Sequence, residues 1–161
     1  MAANQERNFA REAVALLRAA RSGALATVAG GWPHVALVTP ALGPDGSVLL
    51  LLSDLSAHTS HLRANPSCAL LVTGAAAAEN PQTAPRLSLR GTARLTESDA
   101  ARAAYLLHHP YAKLYAGFAD FHVWALQPEE AYYVGGFAAA ASLPIVALQQ
   151  EIETILPNRN G

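Results

Sequence analysis

The stretch between residues 49 and 73, LLLLSDLSAHTSHLRANPSCALLVT, constrains the fold more than any other part of the chain. It predicts an apolar strand, a polar turn, a short helix that ends near Asn65-Pro66, and a second strand. Small hydroxyl side chains and a histidine lie between the first strand and the helix, at Ser53, Ser56, His58 and Thr59. Such side chains, together with the backbone N–H groups of a helix N-terminus, can bind an anion such as a phosphate. The alternative is that Ser56 only caps its helix, and the residues leave both interpretations open.

Short strands joined by tight turns dominate the rest of the chain. The pattern predicts helices over residues 5–21, 96–108 and 142–156, and hairpin turns at Gly30-Gly31, 44–46 and 128–130. Because hairpins join most neighbouring strands, we expect an antiparallel sheet that is closed or nearly so. The predicted strands cover residues 24–28, 32–39, 47–53, 68–73, 86–95, 122–126 and 131–134.

The length of 161 residues indicates one domain, and the composition indicates that a partner subunit covers part of its surface. Apolar residues make up 52% of the chain and charged residues only 14%, and the net charge is −1. Homo-oligomer interfaces are more apolar than free surface, and the chain has no basic stripe of the kind that nucleic-acid binding requires. The single cysteine, Cys68, cannot form an internal disulfide, which fits the cytoplasm. The sequence shows neither a membrane span nor a signal peptide.

No catalytic motif stands out, so the catalytic residues stay unknown. His58 and His61 have the spacing of two metal ligands on one helix face, but no third ligand follows nearby, and we predict no metal site. Cys68 fits a core residue better than a nucleophile. Arg86 and Arg90 lie on the polar face of their strand and can supply the positive charge that a phosphate needs.

Several segments together resemble one known family. The most specific are LLSDLSAHTSHLRANP, RLSLRG, HPYAKLYAGFADF and VGGF, and the similarity runs from about residue 16 to residue 137. They resemble the pyridoxamine 5′-phosphate oxidase-like, FMN-binding split-barrel superfamily, and within it the haem-utilisation (HugZ-like) branch. The resemblance implies a mainly β (α+β) fold, a six- to seven-stranded antiparallel Greek-key split barrel with short flanking helices. It also implies a single domain over residues 1–161 that forms a homodimer with FMN at the interface.

The resemblance implies which residues bind the cofactor. The flavin ring would lie along the backbone of the second strand, at Ala36, Leu37, Val38 and Thr39. The phosphate would be held by Ser53, Ser56, His58, Thr59 and Arg86. Ala36 and the Ala57-His58 pair stand where pyridoxamine oxidases carry basic residues, so His58 would supply charge that fades as the pH rises past ~6.5.

Three functions follow from these expectations. The first is an FMN-dependent oxidoreductase that acts on an unidentified small substrate. The alternatives are a haem-binding or haem-degrading protein and a non-enzymatic binding or regulatory module on the same barrel. The chain has no C-terminal arginine–histidine motif for pyridoxal phosphate chemistry. It also has no histidine after His122, so the C-terminal haem-ligating histidine of some relatives has no counterpart.

Overall fold

The computed structural model describes residues 7–156. Two short 3₁₀ helices, Pro81–Thr83 and Pro110–Leu114, accompany the main elements. In chain order the helices and strands are α1 Phe9–Ala19, β1 Gly23–Ala29, β2 Trp32–Val38, β3 Ala41–Leu42, β4 Val48–Ser53, α2 Ala57–Ala64, β5 Ser67–Thr73, β6 Arg86–Leu95, α3 Asp99–His108, β7 Phe121–Val134, β8 Ala140–Leu143 and α4 Ile145–Ile155.

The described strands form one antiparallel sheet. Its order is β2-β1-β5-β6-β7-β4-β3, and β8 pairs with the C-terminal part of β7. The long strands β6 and β7 form the centre of this curled sheet, and the short or exposed strands lie at its ends. The predicted mainly β, antiparallel split-barrel fold with short flanking helices is confirmed. No helix within residues 7–156 is long and apolar enough to cross a membrane.

The leucine run of β4 is buried on both faces, as its composition predicts. Leu50 packs into the main core, which also contains Val14 and Leu17 of α1. Leu49, on the opposite face, packs into a second cluster around Tyr105 of α3. The strand therefore separates two cores, one closed by α1 and α4 and the other by α3.

The strand predicted to end at residue 126 continues to Val134, so the predicted turn at 128–130 is wrong. The β6–β7 register shifts between Arg90 and Gly91, and Glu129 is the extra residue of a β-bulge. A Cβ atom at Gly91 would lie 1.9 Å from the Gln127 carbonyl oxygen, so only glycine admits this close approach. Pro128, opposite Gly91, lies at the bulge, where a missing N–H group is tolerated.

The two terminal helices are shorter than predicted. Asn8 caps α1, and its side chain accepts a hydrogen bond from the Arg11 N–H group, so the helix begins at Phe9. Residues 5 and 6 of the predicted helix lie outside the described residues. The last helix begins at Ile145 after Pro144, because the preceding residues form β8, which the sequence did not predict. The two-residue strand β3 was also not predicted.

Candidate functional site

The polar segment at residues 53–59 forms the end of β4, a turn and the start of α2, as predicted. The Ser53 hydroxyl donates to Asp120 Oδ2 at 2.6 Å and accepts from the Leu55 N–H group at 3.1 Å. Ser53 therefore holds the turn in place. Ser56 occupies the N-cap position of α2, but its side chain makes no capping hydrogen bond. The interpretation of Ser56 as a side-chain cap is therefore wrong, and its hydroxyl is free of that role.

Thr59 is fully buried, and its Oγ1 atom has no hydrogen-bond partner among the described residues. An unpaired buried hydroxyl costs about 1–3 kcal/mol. Thr59 lies in the first turn of α2, next to backbone N–H groups that the helix leaves unpaired. The orphaned hydroxyl and the helix N-terminus together fit an anionic group better than either feature alone.

Three histidines gather between α2 and the β1–β2 hairpin. His61 Nδ1 lies 3.0 Å from Thr27 Oγ1, and the rings of His34 and His61 meet edge to face with centroids 5.1 Å apart. Burial lowers the pKa of His58, and the neighbouring His34 and His61 lower it further. His58 thus loses its charge at a lower pH than an exposed histidine does. Within residues 7–156, no group of three or more His, Cys, Asp or Glu side chains is placed to hold a metal ion.

The predicted ring-binding residues lie at a sheet edge. In the described sheet, β2 pairs only with β1, so backbone groups along its other side have no strand partner. Ala36 pairs with the buried Leu25 and Val38 is buried, whereas Leu37 is 80% exposed. The Thr39 hydroxyl lies 2.7 Å from Tyr105 OH, so its side chain is bound to the second core.

Within one chain, Arg86 does not join the other predicted phosphate-binding residues. It begins β6, opposite Thr73 and Val134. The α2 segment reaches β6 near its other end, where Ala93 donates its N–H group to the Pro66 carbonyl. The Arg86 guanidinium donates instead to the carbonyl oxygens of Gln82 and Ala84, at 2.9 and 3.2 Å.

Arg86 lines an open cleft of about 550 Å³, which we name the β6–β7 cleft. Its volume falls within the range of small-molecule sites. Arg86 and Ser88 of β6 lie on one side and Tyr132 of β7 beside them, while the segment around Phe137 forms a wall. The remaining lining residues are Leu71, Gln82, Val134, Gly136, Ala138, Ala139 and Ala140.

The cleft continues into an apolar strip on the outer face of the sheet. Cross-strand pairing aligns one residue from each of five strands, and we name this set the outer row: Leu37, Ala24, Leu71, Ser88 and Tyr132. Leu37 is 80%, Leu71 37% and Tyr132 49% exposed. A contiguous apolar strip of this kind is typical of an interaction surface.

Other ionisable groups have structural partners. Asp54 accepts from Arg63 at 2.6 Å and lies 3.2 Å from His122 Nε2. His109 is fully buried, with Nε2 2.9 Å from the Pro40 carbonyl and Nδ1 3.2 Å from Tyr111 OH. Burial raises the pKa of Cys68 to about 11, and the residue is a buried free thiol, which confirms its predicted place in the core.

The sequence did not single out Leu71, Tyr132 or Phe137 as site residues. The two adjacent tyrosines of the YYVGGF segment could have indicated one surface residue, because neighbouring side chains in a strand face opposite sides of the sheet. Tyr133 is buried and Tyr132 is not. The register that sets Tyr132 beside Ser88 involves residues far apart in the chain, so no local pattern could supply it.

Comparison with known proteins identifies the family. The family model described as Pyridoxamine 5′-phosphate oxidase matches residues 9–135. The chain belongs to this family. It is 40% identical over 115 residues to the protein named Non-canonical heme oxygenase HOZ, chloroplastic, of Arabidopsis thaliana. That match covers 68% of this chain but only 34% of the relative.

Solved structures agree with this assignment. A heme binding protein from Mycobacterium smegmatis is 31% identical with a TM-score of 0.83, and the match covers 89% of this chain and 61% of that one. Campylobacter jejuni ChuZ is 21% identical with a TM-score of 0.75 over 86% of this chain and 61% of that one, a likeness of fold alone. The predicted resemblance to the haem-utilisation branch is confirmed. The chain spans about a third of the curated relative's length.

Proposed function

We propose that this protein binds haem in the β6–β7 cleft. The observation that carries the proposal is the 40% identity over 115 residues to a protein named as a heme oxygenase. The 31% identity to a heme binding protein supports it independently. Haem binding was the alternative interpretation of the sequence, and these relatives favour it over the FMN-dependent oxidoreductase.

The side chains of the cleft fit a haem. Leu71, Tyr132 and Phe137 offer apolar and aromatic surface to a flat macrocycle, and Phe137 is 93% exposed. Arg86 is the cation of the described lining, and a guanidinium binds carboxylates such as haem propionates with charge-assisted hydrogen bonds. An apolar wall with one convergent cation is the usual composition of a small-molecule site.

We propose further that a second copy of the chain packs against the outer row. Val35 and Leu37 share the outer face of the edge strand β2 and are 64% and 80% exposed. Such a strand invites pairing or burial by another chain. Because Leu71 and Tyr132 belong to both the outer row and the cleft, a homodimer would shield the bound ligand from water. The cytoplasmic location stays a prediction.

Bound haem supplies iron that can bind oxygen and undergo redox change. The chain's own residues would bind and orient the macrocycle, with Arg86 holding a propionate and Phe137 covering one side. Degradation of the bound haem is a further proposal, because the chain spans only 34% of the curated relative.

Titration of the purified protein with haemin, followed by absorption spectroscopy, tests the proposal. We expect a shifted, saturable Soret band that reaches an endpoint of about one haem per chain. An unshifted band that grows linearly with added haemin would overturn haem binding. Addition of ascorbate and oxygen to the complex, with catalase present, then tests degradation: a falling Soret band supports it and an unchanged band contradicts it.

FMN is the second candidate ligand, and one observation favours it. The orphaned Thr59 hydroxyl lies at the N-terminus of α2, where the sequence predicts a phosphate site. The unpaired edge of β2 would offer backbone groups to the flavin ring. Quenching of FMN fluorescence on titration with protein would support this site. A protein that binds neither FMN nor haem would leave the non-enzymatic binding module as the remaining function.

A further inference from the structure

We infer that Tyr132 is the protein ligand of the haem iron. This inference rests on the proposed haem-binding function, and it adds a residue role that the sequence and the relatives do not assign. Tyr132 lies in the β6–β7 cleft, directly opposite Ser88 in the β6–β7 register. The residue is 49% exposed and lies on the face of β7 opposite the buried Tyr133.

The described lining of the cleft offers no other strong iron ligand. It contains no histidine, cysteine or methionine, and Gln82 and Ser88 are weak donors to iron. Phenolate is an established haem ligand, as in catalase. Arg86 lies two residues before Ser88 on the same face of β6. Because Ser88 is directly opposite Tyr132, the positive charge of Arg86 is diagonally across the strand pair from Tyr132.

The six histidines of the chain are all in the described part, and none lines the cleft. His108 and His109 face the carbonyls of Ala20 and Pro40 at 2.9 Å. His122 pairs with Asp54. His34, His58 and His61 form the cluster beside α2, which packs on the β1–β2 hairpin. No histidine of the same chain therefore lies in the cleft to offer an imidazole ligand to the iron.

The other tyrosines have different surroundings, and Tyr115 packs against Phe121 beside the second core. Tyr105 and Tyr133 are buried, and their hydroxyl groups form hydrogen bonds with Thr39 and Glu12, respectively. Tyr111 is 50% exposed, nearly the same as Tyr132, but its hydroxyl lies 3.2 Å from His109 Nδ1. Tyr111 thus provides a matched control outside the cleft. In the proposed step, the Tyr132 phenol releases its proton to solvent as its oxygen forms a bond to ferric iron, with no change in oxidation state.

The test compares ferric haem complexes of the wild type, Tyr132→Phe, Tyr132→His and Tyr111→Phe by absorption, resonance Raman and EPR spectroscopy. We expect phenolate–iron vibrations in the wild type and in Tyr111→Phe, and their loss in Tyr132→Phe with a shifted Soret band. Tyr132→His should restore a protein ligand and give an imidazole-type spectrum. Circular dichroism of the ligand-free variants confirms that each one folds.

The outcomes separate this inference from the proposed function. If the wild type binds haem but shows no phenolate–iron vibration, or if Tyr132→Phe has the same spectra as the wild type, the ligand role of Tyr132 is overturned and haem binding stands. If the wild type gives no Soret shift, both are overturned. The assignment is supported if only Tyr132→Phe loses the phenolate–iron vibrations while it still binds haem.

Discussion

Replacement of Thr59 by valine should stabilise the ligand-free protein. Thr59 Oγ1 is buried without a partner among the described residues, and the residue as a whole is 0% exposed. Removing an unpaired buried hydroxyl recovers about 1–3 kcal/mol. Threonine and valine have similar helix propensities, so α2 itself is little affected. Each 1 kcal/mol corresponds to about 2–4 °C in Tm for a chain of this size.

Thr27 provides the matched control. It is 1% exposed, as buried as Thr59, but its Oγ1 lies 3.0 Å from His61 Nδ1. Thr27→Val removes that hydrogen bond and should lower the stability by about 1 kcal/mol. The two valine variants should therefore differ in unfolding free energy by at least about 2 kcal/mol, with opposite signs relative to the wild type.

Urea denaturation at one fixed protein concentration measures both changes, because association would otherwise shift the apparent stability. A destabilised Thr59→Val variant would refute the reasoning and indicate that a bound water pairs the hydroxyl. The same variant tests the anion site. FMN should raise the Tm of the wild type more than that of Thr59→Val, and equal increases would contradict a role of Thr59 in phosphate binding.

Three further predictions concern the interface, the buried histidine and the bulge. Leu37→Glu should shift the protein from dimer to monomer in sedimentation velocity. Leu107→Glu changes an equally exposed leucine of α3 (83% exposed against 80% for Leu37) and should leave the dimer intact. If both variants remain dimeric, the proposed interface is contradicted. Burial lowers the pKa of His109 below its ordinary value of 6.5, so protonation favours the unfolded chain. The free energy of unfolding should be constant above about pH 6.5 and fall as the pH drops towards the folded-state pKa of His109. His109→Gln should make this fall less steep, and an unchanged pH dependence in the variant would contradict the assignment to His109. Gly91→Ala should cost about 1–3 kcal/mol because its Cβ atom would lie 1.9 Å from the Gln127 oxygen, while Gly117→Ala, with open space around it, should change little in the same urea titration.

Local patterns predicted the parts of the fold that depend on nearby residues. The leucine run of β4 indicated burial on both faces, and hairpin signals such as Gly30-Gly31 indicated antiparallel pairing. Pro128 followed by two glutamates indicated a turn, but the structure has a bulge there. The residue that permits the bulge is Gly91 on the neighbouring strand, and a one-strand pattern does not contain that information. Strand β8 comes from an alanine-rich segment without periodicity, and it forms by pairing with β7.

The candidate site also has one part that the local sequence predicts and one part that it does not. Ser53, Ser56, His58 and Thr59 are close in sequence, and they flank the start of α2, where the local pattern predicts a helix N-terminus. Arg86 was grouped with them because it lies on the polar face of its strand, and the family resemblance implied the same, but in one chain it lies at the far end of β6. The cleft around Arg86 depends on the register of β5, β6 and β7, which sequence reasoning does not determine.

The affinity of haemin for Arg86→Ala, measured beside the wild type and Arg90→Ala, tests the central claim most directly. Both arginines lie on the same face of β6, but Arg86 lines the cleft, whereas Arg90 lies beside the bulge and forms an exposed ion pair with Glu130. A lost charge-assisted hydrogen bond of about 1.4 kcal/mol weakens binding about tenfold. We predict about this loss for Arg86→Ala and a wild-type Kd for Arg90→Ala. Equal Kd values for all three proteins would contradict haem binding in the β6–β7 cleft.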